Sequence, residues 1–145
     1  MPIQQMLLGV GAVAKKTYVD DVFSTFLYKG NGSSQSINNG MDLSSADSDG
    51  GMVWIKGRGS SHGQEIFDTV RGALKDIRAD RNNEQETLAN SLTAFNSNGF
   101  SVGSVTGVNQ NDISHAACTF LKAPGFFDVV TWTGNNSNSR QISHS

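Results

Sequence analysis

The sequence has little of what small proteins use for covalent cross-links or zinc binding. It contains a single cysteine, Cys118, which excludes an intramolecular disulfide bond and any zinc site built from several cysteines. The apolar run at 116–121 predicts that Cys118 is a small core residue, because a catalytic thiolate needs a basic environment or a helix N-terminus. His115 lies three positions before it, and on a strand this odd separation places the two side chains on opposite faces. We therefore expect no catalytic cysteine–histidine pair.

Proline and long helical patterns are also scarce. The 145 residues include two prolines, whereas glycine, serine and asparagine together make up about a third of the chain. This composition favours many short strands joined by tight turns over long helices. A chain of this length fits one domain and needs neither a metal ion nor a disulfide bond to fold. Its aromatic and β-branched runs argue against disorder, because they bury enough area to offset the entropy of ordering.

The chain has no strong charge of either sign. Its formal net charge is −2 at pH 7, so it has no basic field to attract nucleic acid or an anionic membrane, and we expect neither partner. Six of the eleven lysines and arginines fall between residues 56 and 81, but Glu65, Asp68, Asp76 and Asp80 are interleaved with them. This alternation predicts a solvated surface of mixed charge rather than a phosphate-binding patch.

The sequence also lacks an apolar run long enough to cross a bilayer. Its apolar stretch at 6–14 is too short, and the basic pair Lys15 and Lys16 follows it, so it matches neither a membrane anchor nor a signal peptide. Two interpretations stay open: an edge segment folded against its own domain, or an arm that buries apolar side chains against another subunit. We favour an arm at residues 1–18, followed by one domain at 19–145. The predicted docking residues of the arm are apolar: Met6, Leu7, Leu8, Val10 and Val13.

What the sequence does contain is one pattern used twice. Residues 23–31 and 127–135 each begin with an aromatic residue, place a second aromatic residue five positions later, then a glycine two positions on and an asparagine next. A turn rich in serine or asparagine follows each copy and leads to Ile37 or Ile142. Each copy predicts a strand, a tight turn and a returning strand. Two such hairpins indicate a β-architecture that builds a scaffold and a binding surface, not a reaction centre.

We predict an all-β fold, an antiparallel β-sandwich with at most one short helix. The predicted strands cover residues 19–28, 35–43, 51–57, 64–70, 99–105, 115–122, 126–133 and 140–144. The charged stretch at 71–90 fits either one short helix or a pair of polar strands. The inward-facing positions are predicted to include Val22, Phe26, Val53, Ile55, Phe100, Phe120, Val129 and Thr131.

No motif in the sequence predicts catalysis. Residues 47–50, Asp-Ser-Asp-Gly, echo part of a calcium loop, but Arg58 and Gly59 stand where its last acidic residue belongs. We interpret this stretch as a solvated turn and expect no metal ion and no cofactor. Residues 60–63 place two serines beside a histidine without a nucleophile elbow, and no carboxylate pair has the spacing that glycoside hydrolysis needs. We therefore expect no catalytic residues and a protein that is not an enzyme.

Two tryptophans are candidates for a ligand surface. Trp54 lies between Val53 and Ile55, and we interpret it as a core aromatic residue, with an exposed tryptophan of a sugar site as the alternative. Trp132 is the second aromatic residue of the second hairpin copy. If a ligand surface exists, Trp54 and Trp132 are its predicted members.

Asp68 and Arg71 are predicted to hold a loop. They bracket the turn that leaves the strand predicted at 64–70. An ion pair between them, or hydrogen bonds to the backbone, would fix this turn.

Several segments, taken together and in order, carry a family resemblance. They include Gly-Met-Val-Trp-Ile-Lys-Gly-Arg at 51–58 and Lys-Ala-Pro-Gly-Phe-Phe-Asp-Val-Val at 122–130, with further segments at 20–28, 37–43, 67–72 and 95–100. Over nearly the whole chain, this combination resembles virion structural proteins of marine tailed bacteriophages, especially those that infect cyanobacteria. The resemblance implies a concanavalin-A-like or jelly-roll β-sandwich. A small stand-alone member is similar to the knob-like capsid proteins of cyanophages.

The resemblance also implies a place in the virus particle. It implies a non-enzymatic structural protein on the capsid surface, a knob or decoration protein that binds the major capsid protein or other virion proteins and is oligomeric on the particle. The alternative that it implies is a receptor- or glycan-binding module of a tail fibre, with a host surface glycan as its ligand. Longer members continue beyond the position of Ile142, whereas this chain stops there, which favours a compact accessory protein.

Overall fold

The computed structural model describes residues 18–44, 50–59 and 61–144. Its elements in chain order are α1 (Val19–Val22), β1 (Phe23–Lys29), β2 (Gln35–Asn38), β3 (Gly51–Gly57), β4 (Gln64–Asp68), β5 (Lys75–Arg78), β6 (Glu86–Thr87), β7 (Leu92–Asn96), β8 (Gly99–Val102), α2 (Thr106–Asn109) and β9 (Ser114–Leu121). The two helices have four residues each. Among the described residues, no helix has the length and apolar character needed to cross a membrane.

The strands form two antiparallel sheets packed as a sandwich. The larger sheet has six strands in the order β1-β9-β3-β4-β5-β6, and the smaller one has three in the order β2-β8-β7. This arrangement confirms the predicted all-β antiparallel sandwich, with two very short helices where the sequence predicted at most one. The stretch at 71–90 contains β5 and β6, so it forms the pair of polar strands and not the helix.

Alternating burial in the central strands explains how the sheets face each other. In β3, Val53 and Ile55 are fully buried, whereas Met52, Trp54 and Lys56 point to the other side of the sheet. Burying one such aliphatic side chain contributes about 1.5–3 kcal/mol before the entropy of ordering is counted. The apolar core draws on both sheets and consists of Tyr28, Ile37, Leu43, Val53, Ile55, Phe67, Leu92, Phe100, Val102, Val108 and Ala117.

The predicted inward positions are confirmed within the paired strands and α1, with one exception. In β9 the buried side chains are His115, Ala117 and Thr119. Phe120 is out of phase with them and lies on the opposite face of the sheet, so its inward assignment is wrong. The confirmed positions, which are buried or packed against the core, are Val22, Phe26, Val53, Ile55 and Phe100.

The inward assignments fail where no strand forms. Thr131 is exposed and Val129 is only half-buried. Both lie after β9 in irregular backbone, where no sheet imposes an alternation of buried and exposed side chains. The strands predicted at 126–133 and 140–144 are therefore wrong.

The two predicted hairpins are also wrong for the described residues. β1 pairs with β9, whereas β2 pairs with β8 in the other sheet. The chain thus crosses from one sheet to the other after β1 instead of returning beside it. The second copy contains no strand, and its single bridge joins Phe127 to Ala123. Aromatic residues, glycine and asparagine at this spacing favour a turn, but long-range packing selects the strand partner.

Candidate functional site

The docking arm is one of the predicted binding sites. Its residues Met6, Leu7, Leu8, Val10 and Val13 lie outside the described residues. The same is true of 45–49, which include most of the calcium-like stretch. Both interpretations stay predictions.

The six-stranded sheet has one face packed on the core and one face turned away from it, which we call the outer face. The middle row of the outer face crosses five neighbouring strands. Register pairing places its members side by side: Thr25, Cys118, Trp54, Ile66 and Ile77. Trp54 is 36% exposed and Ile77 is 39% exposed. The row is therefore a mainly apolar band that is open to solvent.

Trp54 is not a core residue, and that interpretation is wrong. Val53 and Ile55 occupy the inward positions of β3, so Trp54 points outward, in phase with Lys56. The Lys56 ammonium donates a hydrogen bond to the backbone carbonyl of His62. On the edge strand β1, Leu27 adds another apolar side chain to the outer face and is 56% exposed. Trp54 is therefore partly exposed on the outer face, and its place in a sugar site stays a prediction.

Cys118 and His115 lie on opposite faces of β9, as predicted. Cys118 is half-buried on the outer face instead of in the core, with its sulfur 4.0 Å from the Thr25 hydroxyl. His115 is fully buried and its ring stacks on Tyr28 at a centroid distance of 5.2 Å. Burial lowers the pKa of His115, and the hydrogen bond between its Nδ1 and the Ile113 carbonyl offsets part of this effect. His115 is therefore a packing residue of the interior and does not activate the Cys118 thiol.

The C-terminal segment, residues 122–144, begins against the outer face. The Phe120 ring packs between Phe23, with centroids 4.8 Å apart, and Phe127, with centroids 5.2 Å apart. An ion pair of 3.3 Å joins Lys122 to Asp128. The aromatic contacts attach the start of the segment to the sheet, together with a backbone hydrogen bond of 2.8 Å from the Lys122 N–H to the Gly50 carbonyl. The ion pair lies within the segment. From residue 131 onward nearly all of its side chains are exposed.

A groove separates this segment from the turn that follows β4, and we call it the Trp132 groove. Its volume is about 560 Å³, and it is lined by Val70, Arg71, Gln85, Val130, Thr131 and Trp132. Trp132 is 60% exposed and also lines a second groove, of about 470 Å³, with Phe126 and Asp128. Neither lining includes Trp54. The two predicted ligand-surface tryptophans therefore belong to separate surfaces.

The predicted Asp68–Arg71 pair is confirmed. Asp68 accepts hydrogen bonds from the Arg71 backbone N–H, at 2.8 Å, and from its Nε. Arg71 Nη2 donates to the carbonyl of Ile66 at 3.3 Å. The Arg71 side chain is only 10% exposed and the Asp68 side chain only 5%. Arg71 Nη1 is buried and has no hydrogen-bond partner among the described residues.

Sequence reasoning missed a pair of buried carboxyl groups. Glu65 of β4 and Asp76 of β5 are each 1% exposed. Arg78 contacts both, with Nε 3.0 Å from Asp76 and 3.4 Å from Glu65. Burial and, next, the neighbouring Asp76 raise the pKa of Glu65 to about 8, although Arg78 lowers it. Glu65 therefore favours its protonated form at neutral pH.

The interpretation of this stretch as a solvated surface is wrong in part. Glu65, Asp68 and Asp76 are buried, and Asp80 is exposed. The sequence held one signal for this outcome, because Glu65 is in phase with Phe67 on a predicted strand. Alternation alone places it on the inward face with that phenylalanine.

Comparison with known proteins gives a family but no activity. No curated protein and no solved structure matches the chain. The family model that matches is DUF7483, a domain of unknown function, and it covers residues 19–145. Because this match spans most of the sequence, the chain belongs to the DUF7483 family.

Proposed function

We propose that this protein is a non-enzymatic virion structural protein, displayed on the capsid surface of a tailed bacteriophage and bound to the major capsid protein. The observation that supports this proposal is the outer face. Leu27, Trp54 and Ile77 are 56%, 36% and 39% exposed on one side of a single sheet. A contiguous apolar patch on a protein surface often marks a site of contact with another protein.

The outer face has the composition of a binding patch. Tryptophan is among the residues that contribute most to protein–protein affinity, because a large rigid side chain is desolvated without much loss of conformational entropy. Trp54 lies within the apolar row, and Lys56 supplies a charged neighbour. The predicted arm, with Met6, Leu7 and Leu8, would add apolar area to the same attachment.

The buried ionisable groups also favour a structural role. Glu65, Asp76 and His115 lie inside the sandwich, where they are at most 1% exposed. A general acid or base must reach its substrate. The pKa changes of Glu65 and His115 therefore accompany packing and not a reaction centre.

The location of the protein on the particle is tested by immunogold labelling. Antibodies against the purified protein are applied to intact particles of the phage that encodes it. We expect gold on the capsid surface. Gold confined to tail fibres would support the alternative function, and a particle preparation that contains no copy of the protein would contradict both.

The attachment surface is tested by cosedimentation of purified protein with capsids from which it has been removed. We expect Trp54→Ala to weaken capsid binding about tenfold or more, as for a central interface tryptophan. Trp132→Ala is the matched control, because it removes an exposed tryptophan of the C-terminal segment. Equal binding by the two variants would contradict the assignment of the outer face.

Deleting residues 2–17 tests the arm separately. If these residues dock on the capsid, the shortened protein keeps its melting temperature within about 2 °C and no longer joins particles. If it unfolds instead, the segment belongs to the core of its own domain. In that case attachment must be assigned to the outer face alone.

The second candidate function is a receptor- or glycan-binding module of a tail fibre. The observation that favours it is the 60% exposure of Trp132 beside an open groove. Exposed aromatic rings beside polar groups are suited to stacking on sugars. Localisation to the tail, together with saccharide binding, would favour this function over capsid attachment.

A further inference from the structure

The Trp132 groove combines an exposed aromatic ring with polar groups. Trp132 lines this groove and the neighbouring one. Open space therefore lies on two sides of the Trp132 side chain. Gln85 and Thr131 are also exposed and supply an amide and a hydroxyl group at the groove. A ring with hydrogen-bonding groups around it fits a ligand that has both apolar and hydroxyl-bearing faces.

Arg71 is the second observation that points to a ligand. Its side chain is 10% exposed, and the groove lies against it. Nε and Nη2 are already bonded to Asp68 and to the Ile66 carbonyl, whereas Nη1 has no partner in the described part of the chain. Buried donors without an acceptor are rare in folded proteins. Because Arg71 lines the groove, a ligand bound there could supply the missing acceptor.

The charges around the groove favour a neutral ligand. The one charged residue in its lining is Arg71, and Asp68 already neutralises that charge through a close ion pair. An acidic sugar would therefore find no unpaired cation in the lining.

From these contacts we propose that the Trp132 groove binds a neutral oligosaccharide. The indole of Trp132 stacks on the C–H face of one sugar ring. Gln85, Thr131 and Arg71 Nη1 hydrogen-bond to sugar oxygens. The inference deepens the second candidate function, but binding is measured on purified protein, so it stands or fails separately from the location of the protein on a particle.

The test is calorimetric titration with defined hexasaccharides. The neutral probes are cellohexaose, maltohexaose, mannohexaose and chitohexaose, and the acidic probe is hexagalacturonate. We expect saturable binding of at least one neutral probe and weaker or no binding of the acidic one. No binding of any neutral probe at millimolar concentration, or tighter binding of hexagalacturonate, would overturn the proposal.

Matched variants assign the binding to this groove. Trp132→Ala should weaken the binding of the neutral probe about tenfold, because it removes the stacking surface. Trp54→Ala, which removes the tryptophan of the outer face, should leave the affinity unchanged. If Trp132→Ala binds as well as the natural protein, or if both variants lose binding equally, the groove is not the site.

Arg71→Lys tests the unpaired donor. It keeps a cation beside Asp68 but removes Nη1, so we expect weaker saccharide binding by a folded protein. Because Arg71 also holds the turn after β4, melting is measured first. If this variant unfolds, Gln85→Ala takes its place, since Gln85 is exposed and lies at the same groove. Unchanged affinity in the folded variant would contradict the proposed contact.

Discussion

Residues 23–31 and 127–135 share the same spacing of aromatic residues, glycine and asparagine, yet they form different structures. The first copy is the edge strand β1 and the turn that leads to the smaller sheet. The second copy has no strand and forms part of the C-terminal segment. The comparison shows that a local pattern of this kind specifies a change of chain direction but not a partner.

The second aromatic residue shows the difference most clearly. Tyr28 is 9% exposed, stacks on His115 and donates a hydrogen bond to the Val108 carbonyl. Trp132, at the same place in the pattern, is 60% exposed. A buried hydroxyl group must find an acceptor, and α2 provides one for Tyr28. The indole of Trp132 instead lines two grooves.

The largest expected difference in stability is between substitutions at the glycines of the two copies, Gly30 and Gly134. A Cβ atom at Gly30 would lie 2.0 Å from the Gln110 carbonyl oxygen, whereas one at Gly134 would have no atom within 4 Å. We expect Gly30→Ala to lower the free energy of unfolding by about 2–3 kcal/mol through steric overlap. Gly134→Ala should change it by less than about 0.5 kcal/mol. Urea unfolding of both variants provides the measurement, and equal effects would contradict the structural difference between the copies.

The next effect concerns Glu65, an ionisable group that is buried inside the sandwich. The pKa of Glu65 is about 8 in the folded protein, against 4.5 as its ordinary value. Between pH 4.5 and pH 8 the folded state binds more protons than the unfolded state. The stability that protonated Glu65 contributes is therefore fully present below pH 4.5 and is lost as the pH rises through 8. We expect Glu65→Gln to be more stable than the natural protein at pH 9, by about 2 kcal/mol.

The control for this prediction is Glu84→Gln, at an exposed position. Chemical denaturation of both variants between pH 5 and pH 9 gives the two profiles. The Glu65→Gln profile should lose the decline above pH 5, and the Glu84→Gln profile should keep it. A decline of equal size in all three proteins would show that Glu65 is ionised in the folded state.

A smaller effect separates the aromatic residues themselves. Tyr28→Phe leaves the buried Val108 carbonyl without its donor, and we expect a loss of about 1–2 kcal/mol in the free energy of unfolding. Trp132→Phe alters an exposed ring and should change stability by less than about 0.5 kcal/mol. Thermal melting distinguishes the two. If Trp132→Phe proved the more destabilising, the C-terminal segment would be packed more tightly than the structure shows.

The smallest difference is expected at the asparagines. Asn31 Oδ1 accepts hydrogen bonds from Asn109 Nδ2 at 3.0 Å and from the Ser33 N–H at 2.8 Å. Asn135 Oδ1 accepts one from the Ser137 N–H at 3.1 Å in an exposed turn. Asn31→Ala should cost about 1 kcal/mol because Asn109 is fully buried, and Asn135→Ala less than half as much. Urea titrations with both variants in parallel would detect this difference, and a reversed order would contradict it.

Much of the sandwich was predictable from alternation. β3 matches its predicted bounds, and Val53, Ile55 and Phe100 are buried as expected. β7 was not among the predicted strands, although Leu92 is fully buried, because its sequence Leu-Thr-Ala-Phe-Asn lacks a clear alternation. The predicted Asp68–Arg71 pair was readable because its partners are three residues apart. The carboxyl pair of Glu65 and Asp76 was not, because it depends on how β4 and β5 align.

The candidate surfaces divide in the same way. The sequence indicated Trp54 and Trp132 as residues of interest, but the neighbours of each tryptophan on other strands decide its exposure. Trp54 was assigned to the core, and its true direction follows from the phase of Val53 and Ile55. The Trp132 groove joins residues 70–71 and 85 with 130–132, and no local pattern connects these three parts of the chain.

By itself, the sequence determined the all-β class, the turn positions and the inward phase of most strands, because these depend on side-chain alternation and on backbone preferences over a few residues. Only the tertiary structure decided that β1 pairs with β9, that the second copy of the repeated pattern stays outside the sheets, and that Arg71 and Trp132 line the same groove. Each of these depends on contacts between distant residues. Their free energy comes from burial and hydrogen bonding across the whole sandwich, and a short stretch of sequence does not contain that information.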